Sequence, residues 1–232
     1  MSAMSASPIK DNETQYNIEQ YLRGRELRYA AIFGLCIQSG IPLCNILVMK
    51  VKDIPDSVYF HVQKFKENGK GYDVVLTSGL FNDLQAIAKH KNPDDYVFTS
   101  LRDKHKPIPQ STFRSILSDI ENEFHLENFS GRSLTKTFFY SIYLHHGINT
   151  VKDLLGYASA RLAYEYLDIE PPSHKHEQFD LNDNTIHQIS SIKTNLSKIV
   201  ANMQSLSKEQ RDTINNSLIK TNELLSTILT GL

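Results

Sequence analysis

The sequence predicts a mainly helical α+β domain with a small β-hairpin, followed by a separate helical hairpin. Three observations carry that reading. Apolar residues recur at spacings of three and four through most of the chain between Tyr21 and Ile169. One stretch, SVYFHVQKF, alternates instead, with Val58, Phe60 and Val62 on one side, and the turn residues ENGKG separate it from YDVVLTS. A polar, proline-containing stretch, EPPSHKHEQFDLNDN, then divides this body from a region where the helical spacing resumes.

Taken in order, residues 1–18 are rich in Ser, Asn and Asp, and are assigned to a flexible tail. The main domain is assigned to residues 19–170. It opens with YLRGRELRYAAIFGLCIQSG, read as one buried helix that Gly40 stops. IPLCNILVMKV follows, with Pro42 suited to a first helical turn. After the hairpin, GLFNDLQAIAKHK reads as a helix and NPDDYVFTS as a turn and a short strand. PQSTFRSILSDIENEF is a further helix, with Ser111 or Thr112 as its expected cap. GRSLTKTFFYSIYLHHGINTVKDLLGYASARLAYEYLDI supplies two more helices and a short terminal one. Residues 171–184 form a linker. Over residues 185–231, Ile186, Ile189, Leu196, Val200 and Met203, then Ile214, Leu218, Leu225 and Ile228, mark two amphipathic helices, with Ser207 and Gln210 as a capping box. Such a hairpin leaves an apolar stripe to cover, either by docking on the main domain or by pairing with a second copy; the separating linker favours the second, homo-oligomerisation.

Bulk properties bound the function. The 232 residues are 40% hydrophobic with net charge −1, so one good core is available and nothing global advertises nucleic acid or a membrane. No apolar run is long enough to span a bilayer, and the start lacks the basic and apolar regions of a signal peptide. A cytoplasmic protein is expected, nucleoid-associated in a bacterial or phage setting. Cys36 and Cys44 read as reduced core residues. Neither cofactor nor metal is expected: His145 and His146 are adjacent on a helix and face apart, and His174 and His176 lack partner ligands.

In sequence order, SGIPLCNIL, VQKFKENGKGYDVVL, RSLTKTF, a glycine at 147, LGY at 155–157 and Tyr166 together resemble the catalytic domain of tyrosine recombinases, the phage-integrase family. The likeness extends over roughly residues 20–170. In that pattern Ser39 and Gly40 match, while Pro42 stands at the first catalytic arginine and Asn45 at a glutamate. Lys66, or second Lys64, corresponds to the hairpin lysine. Within RSLTKTF, Leu134, Thr137 and Phe138 keep the scaffold; Arg132 replaces a histidine and Thr135 the second catalytic arginine. Tyr157 stands where the family has a histidine, and Tyr166 falls at the nucleophile, ten residues after Gly156.

The resemblance implies attack on a DNA phosphodiester by the tyrosine, leaving a 3′-phosphotyrosyl link. Two bidentate guanidiniums hold the non-bridging oxygens, and a lysine and a histidine handle protons. Each such donor is worth about 3–4 kcal/mol, so losing both arginines costs on the order of 10⁴–10⁶ in rate. The leading expectation is therefore a protein of this fold that is not an enzyme, binds double-stranded DNA and regulates transcription as a repressor of a phage or mobile element. Its DNA-binding residues are then Arg132, Lys136, Lys66, Lys64, Tyr157, Arg161 and Tyr166. Lys70 and the basic loop RDKHKP (102–107) are either DNA contacts or solvated surface. Tyr166 either packs the last helix or donates to a phosphate, and Tyr157 is either a phosphate donor or a half-buried aromatic. A second reading keeps an active recombinase using Tyr166, Lys66 and Arg132. A third is a scaffold without DNA that meets a protein partner through its C-terminal helices. The N-terminal helical domain with which family members close around DNA has no counterpart in residues 1–18.

Overall fold

A computed structural model describes residues 6–63 and 69–171; Lys64 and Lys66, the linker from residue 172 onward and the helical hairpin of 185–231 lie outside the described residues. Helix α1 (Asn12–Arg25) begins inside the segment that sequence alone assigns to a tail. Asp11 caps it, accepting the Thr14 N–H at 2.7 Å. The residues before it are ordered by a distant partner. Ile9 is 4% exposed, and its N–H donates to Thr137 Oγ1 at 2.9 Å, 128 positions away. Over residues 6–18 the expected tail is corrected to an extended segment leading into a helix; residues 1–5 lie outside the described residues.

The apolar run from Tyr21 to Gly40 is two helices. Glu26 is extended, with φ −166° and ψ 124°, and parts α1 from α2 (Leu27–Ser39). Residues Ala30 to Cys36 of α2 are all buried; a helix apolar on every side belongs inside the core. It packs against α1, α3 (Leu43–Leu47), β2 (Tyr72–Val75), α4 (Ser78–Ala88) and α6 (Gly131–Leu155). Gly40 ends it in the left-handed region at φ 68°. A side chain there would also collide with the Phe138 ring, so only glycine fits on both counts.

The hairpin forms as its alternation predicts: β1 (Tyr59–Val62) runs antiparallel to β2, with Phe60 opposite Val74 and Val62 opposite Tyr72. YVFTS gives two isolated bridges, Lys50 with Tyr96 and Thr99 with Pro107. Helix α5 (Gln110–Glu123) has Pro109 as its N-cap, ahead of the expected Ser111 or Thr112, and buries the stripe Phe113, Ile116, Leu117 and Ile120. Helix α6 bends at Gly147, and α7 (Ala160–Leu167) follows it. Cys36 is buried, but Cys44 is exposed, because the five-residue α3 turns Leu43, Ile46 and Leu47 inward instead.

Candidate functional site

The first turns of α6 hold the site. Ser130 caps the helix, and Ser133 to Phe139 are all buried. Positions 131, 135 and 138 share one face at spacings of four and three. That face meets the turn between Gly40 and Leu43: a Cβ on Gly131 would lie 2.9 Å from Leu43, and one on Gly40 would strike Phe138. Thr135, 4% exposed, and Pro42 therefore border one junction. These are the two positions that the resemblance sets at arginines, and neither carries a guanidinium.

Beside this face runs a second one with a different content. Lys136 is 4% exposed, and its Nζ stands 5.2 Å from the centre of the Tyr166 ring. Burial lowers the Lys136 pKa; Asp168 opposes that shift and Arg132 reinforces it. Tyr166 meets Phe139 edge-on with ring centres 6.1 Å apart and Tyr157 at 5.9 Å. Burial holds its phenol well above the ordinary tyrosine range; Tyr157 and Tyr72 add to this and Arg132 counters it. The phenol is neutral at pH 7 and requires a base to become a nucleophile.

Arg132, Lys136, Tyr157 and Tyr166 are thus brought together. Tyr72 and Asp168 join them, and sequence alone does not select either. Tyr72 is stacked on Phe138 with ring centres 5.4 Å apart and donates to Ser39 O at 2.9 Å. For Asp168, the only signal was its position two residues beyond Tyr166. Two cationic side chains beside two phenols can receive an anionic, tetrahedrally arranged group.

Other candidates stand elsewhere or engage partners of their own. Arg161 is exposed and pairs with Glu165 at 2.8 Å on the surface of α7. Lys70 Nζ donates to Asp153 Oδ2 at 2.9 Å. In the 102–107 loop, Asp103 accepts the His105 N–H at 2.9 Å and pairs with Lys106 at 3.4 Å. Among the described residues no group of three or more His, Cys, Asp or Glu could hold a metal. Also among them, no helix is long and apolar enough to cross a membrane.

Lys136→Met keeps the length of the side chain and removes its charge, while the neighbouring Asp168 is exposed and stays hydrated. The variant is expected to bind an anionic group more weakly, which a binding titration checks, with calorimetry to show that the fold is kept.

Three comparisons place this geometry. The profile described as "Phage integrase family" matches residues 12–171. "Probable integrase/recombinase YoeC" of Bacillus subtilis (strain 168) is 26% identical over 164 residues, covering 70% of this chain and 90% of that protein. Among solved structures, XerA recombinase superposes with a TM-score of 0.53 at 16% identity, over 82% of this chain and 66% of its own. The Tn1549 transposon integrase in complex with circular intermediate DNA does so with a TM-score of 0.56 at 7% identity, over 81% of this chain and 68% of its own. Both show that the fold is that of the tyrosine-recombinase catalytic domain. The expectation that this chain is not an enzyme is corrected by these matches, since the family and its solved neighbours are recombinases. With a profile match across residues 12–171, more than half of its length, the chain belongs to the phage integrase family.

Proposed function

We propose that the chain acts on double-stranded DNA as a site-specific recombinase or integrase, with Tyr166 as nucleophile and Arg132 and Lys136 as the charges that receive the phosphate. The observation that carries this reading is the juxtaposition of the Lys136 ammonium, 5.2 Å from the centre of the Tyr166 ring, with Arg132, whose charge acts on both groups. In the reaction, the Tyr166 oxygen bonds to phosphorus as its proton leaves to a base. The bond from phosphorus to the 5′-oxygen breaks, and that oxygen takes up a proton; Lys66 corresponds to the proton carrier. Attack by a second 5′-hydroxyl reverses the step on the new partner strand. Arg132 and Lys136 hold the non-bridging oxygens meanwhile, and Tyr157 offers a further hydroxyl.

The missing guanidiniums favour slow turnover and long residence on DNA. A recombinase that stays on its site also blocks a promoter overlapping it, and regulation of a phage or mobile element rests on that same binding. Pairing of copies through residues 185–231, beyond the 171–184 linker, raises the effective concentration at paired sites. The protein then works in the cytoplasm, on the nucleoid.

The test uses nicked suicide DNA fragments from around the gene, incubated over a salt series and run with and without denaturation. A band that survives denaturation is expected. A salt-sensitive shift that vanishes on denaturation would overturn strand transfer and leave binding. No shift at any salt would overturn the DNA reading on those fragments. Arg132→Ala should lessen the salt slope by about one counterion.

A further inference from the structure

Helix α7, which carries Tyr166, has eight residues and turns only Ala163 and Leu167 fully into the core. Two helical turns do not persist in water unaided, so tertiary contacts at its ends decide where Tyr166 stands. At the start, Ser159 makes no side-chain cap. At the end, Asp168 turns into the left-handed region at φ 56° and ψ 49°.

The extended segment before α1 reaches this end. Ser7 Oγ donates to Asp168 Oδ2 at 2.8 Å. Lys10 Nζ reaches the Asp168 carbonyl oxygen at 3.5 Å and lies 5.9 Å from the centre of the Tyr140 ring on α6. Between them, the Ile9 N–H donates to Thr137 Oγ1 at 2.9 Å, and Thr137 in turn donates to Ser133 O at 2.8 Å. Gln15 Nε2 of α1 donates to Ile9 O at 2.9 Å, closing the strap from its other side. Residues 7–10 therefore tie Asp168, the C-cap of the helix that carries Tyr166, to α6, one position from Lys136. Asp168 lies two residues beyond Tyr166, and its charge acts on Lys136.

We infer that Ser7 and Lys10 are positioning residues, which hold α7 through Asp168 so that Tyr166 stays against Lys136. The inference rests on the reading of Tyr166 as nucleophile for its consequence, but not for its geometry. Without the strap, α7 is anchored by Ala163 and Leu167 and by the aromatic contacts of Tyr166, and it opens more often. The core around α2 is unaffected, because both strap contacts to Asp168 are exposed.

The experiment compares the full chain with its Ser7→Ala/Lys10→Ala variant by amide hydrogen exchange and by trapping on suicide DNA. Amides of α7 are expected to exchange about fivefold faster in the variant, while those of α2 are unchanged. Covalent trapping should slow by about tenfold with DNA affinity within about twofold. Ser7 with Lys10→Arg should restore both. Unchanged α7 exchange would overturn the strap, and so would faster exchange in α2 and α7 alike, which marks a general loss of stability. If the unaltered protein forms no covalent complex, Tyr166 as nucleophile falls, while the exchange comparison still decides whether the strap holds α7.

Discussion

Replacing Tyr166 with phenylalanine is expected to abolish every DNA complex that survives denaturation, while salt-sensitive binding stays within about threefold. The change removes one oxygen from a half-buried ring and leaves the contacts to Phe139 and Tyr157 intact. Without that oxygen no bond to phosphorus can form, so cleavage should fall below detection instead of declining by degrees. The phenylalanine ring still lies under Lys136, so the charges proposed to receive the phosphate are undisturbed. Trapping on nicked DNA and a filter-binding titration give the two numbers. Undiminished trapping in this variant would mean that another residue attacks, and the assignment of α7 as the nucleophile helix would fail with it.

The opposite sign is expected from Pro42→Arg. Pro42 begins α3 at φ −58° and ψ 140°, a conformation open to arginine, and it is only half-buried. Its side chain borders the junction with Thr135. A guanidinium there restores a bidentate donor where charge gathers on the phosphate, and one such donor is worth about 10²–10³ in rate. Trapping should accelerate by that order with little change in melting temperature. Thr135→Arg should gain less, since Thr135 is 4% exposed and a larger side chain there costs about 1–3 kcal/mol in overpacking. If Pro42→Arg traps no faster, the junction does not receive the phosphate, and the site must be sought nearer Arg132 alone.

Local pattern made most elements legible. The alternation of Val58, Phe60 and Val62 and the glycine-bearing turn located the hairpin, and Gly40 marked the end of α2. What stayed hidden depends on long-range partners. Ile9 looks like an isolated apolar residue in a polar segment, and only Thr137 gives it a place. The break at Glu26 lies in a continuous run without a proline, and is visible only once Arg28 turns back to meet its carboxylate at 3.1 Å. In the site, the spacing of Leu155, Gly156 and Tyr166 located the tyrosine and its neighbour Tyr157. The spacing could not distinguish Lys136, which is buried over the ring, from Arg161, which pairs with Glu165 one turn along. Both are cations within the same stretch, and only the helix phase against the core separates them.

The bend in α6 divides the first part of the helix, which holds Lys136, from the part that leads on to α7 and Tyr166. At Gly147 the backbone lies at φ 76° and ψ 170°, a region essentially closed to any residue with an L side chain. Nothing stands within 4 Å of where a Cβ would be, so space is not what reserves the position. Chirality is: a D-alanine installed at 147 by semisynthesis would sit in its natural territory, whereas L-alanine in the same open space would straighten or strain the joint. The two halves of α6 are set to one another by the single amino acid that has no hand.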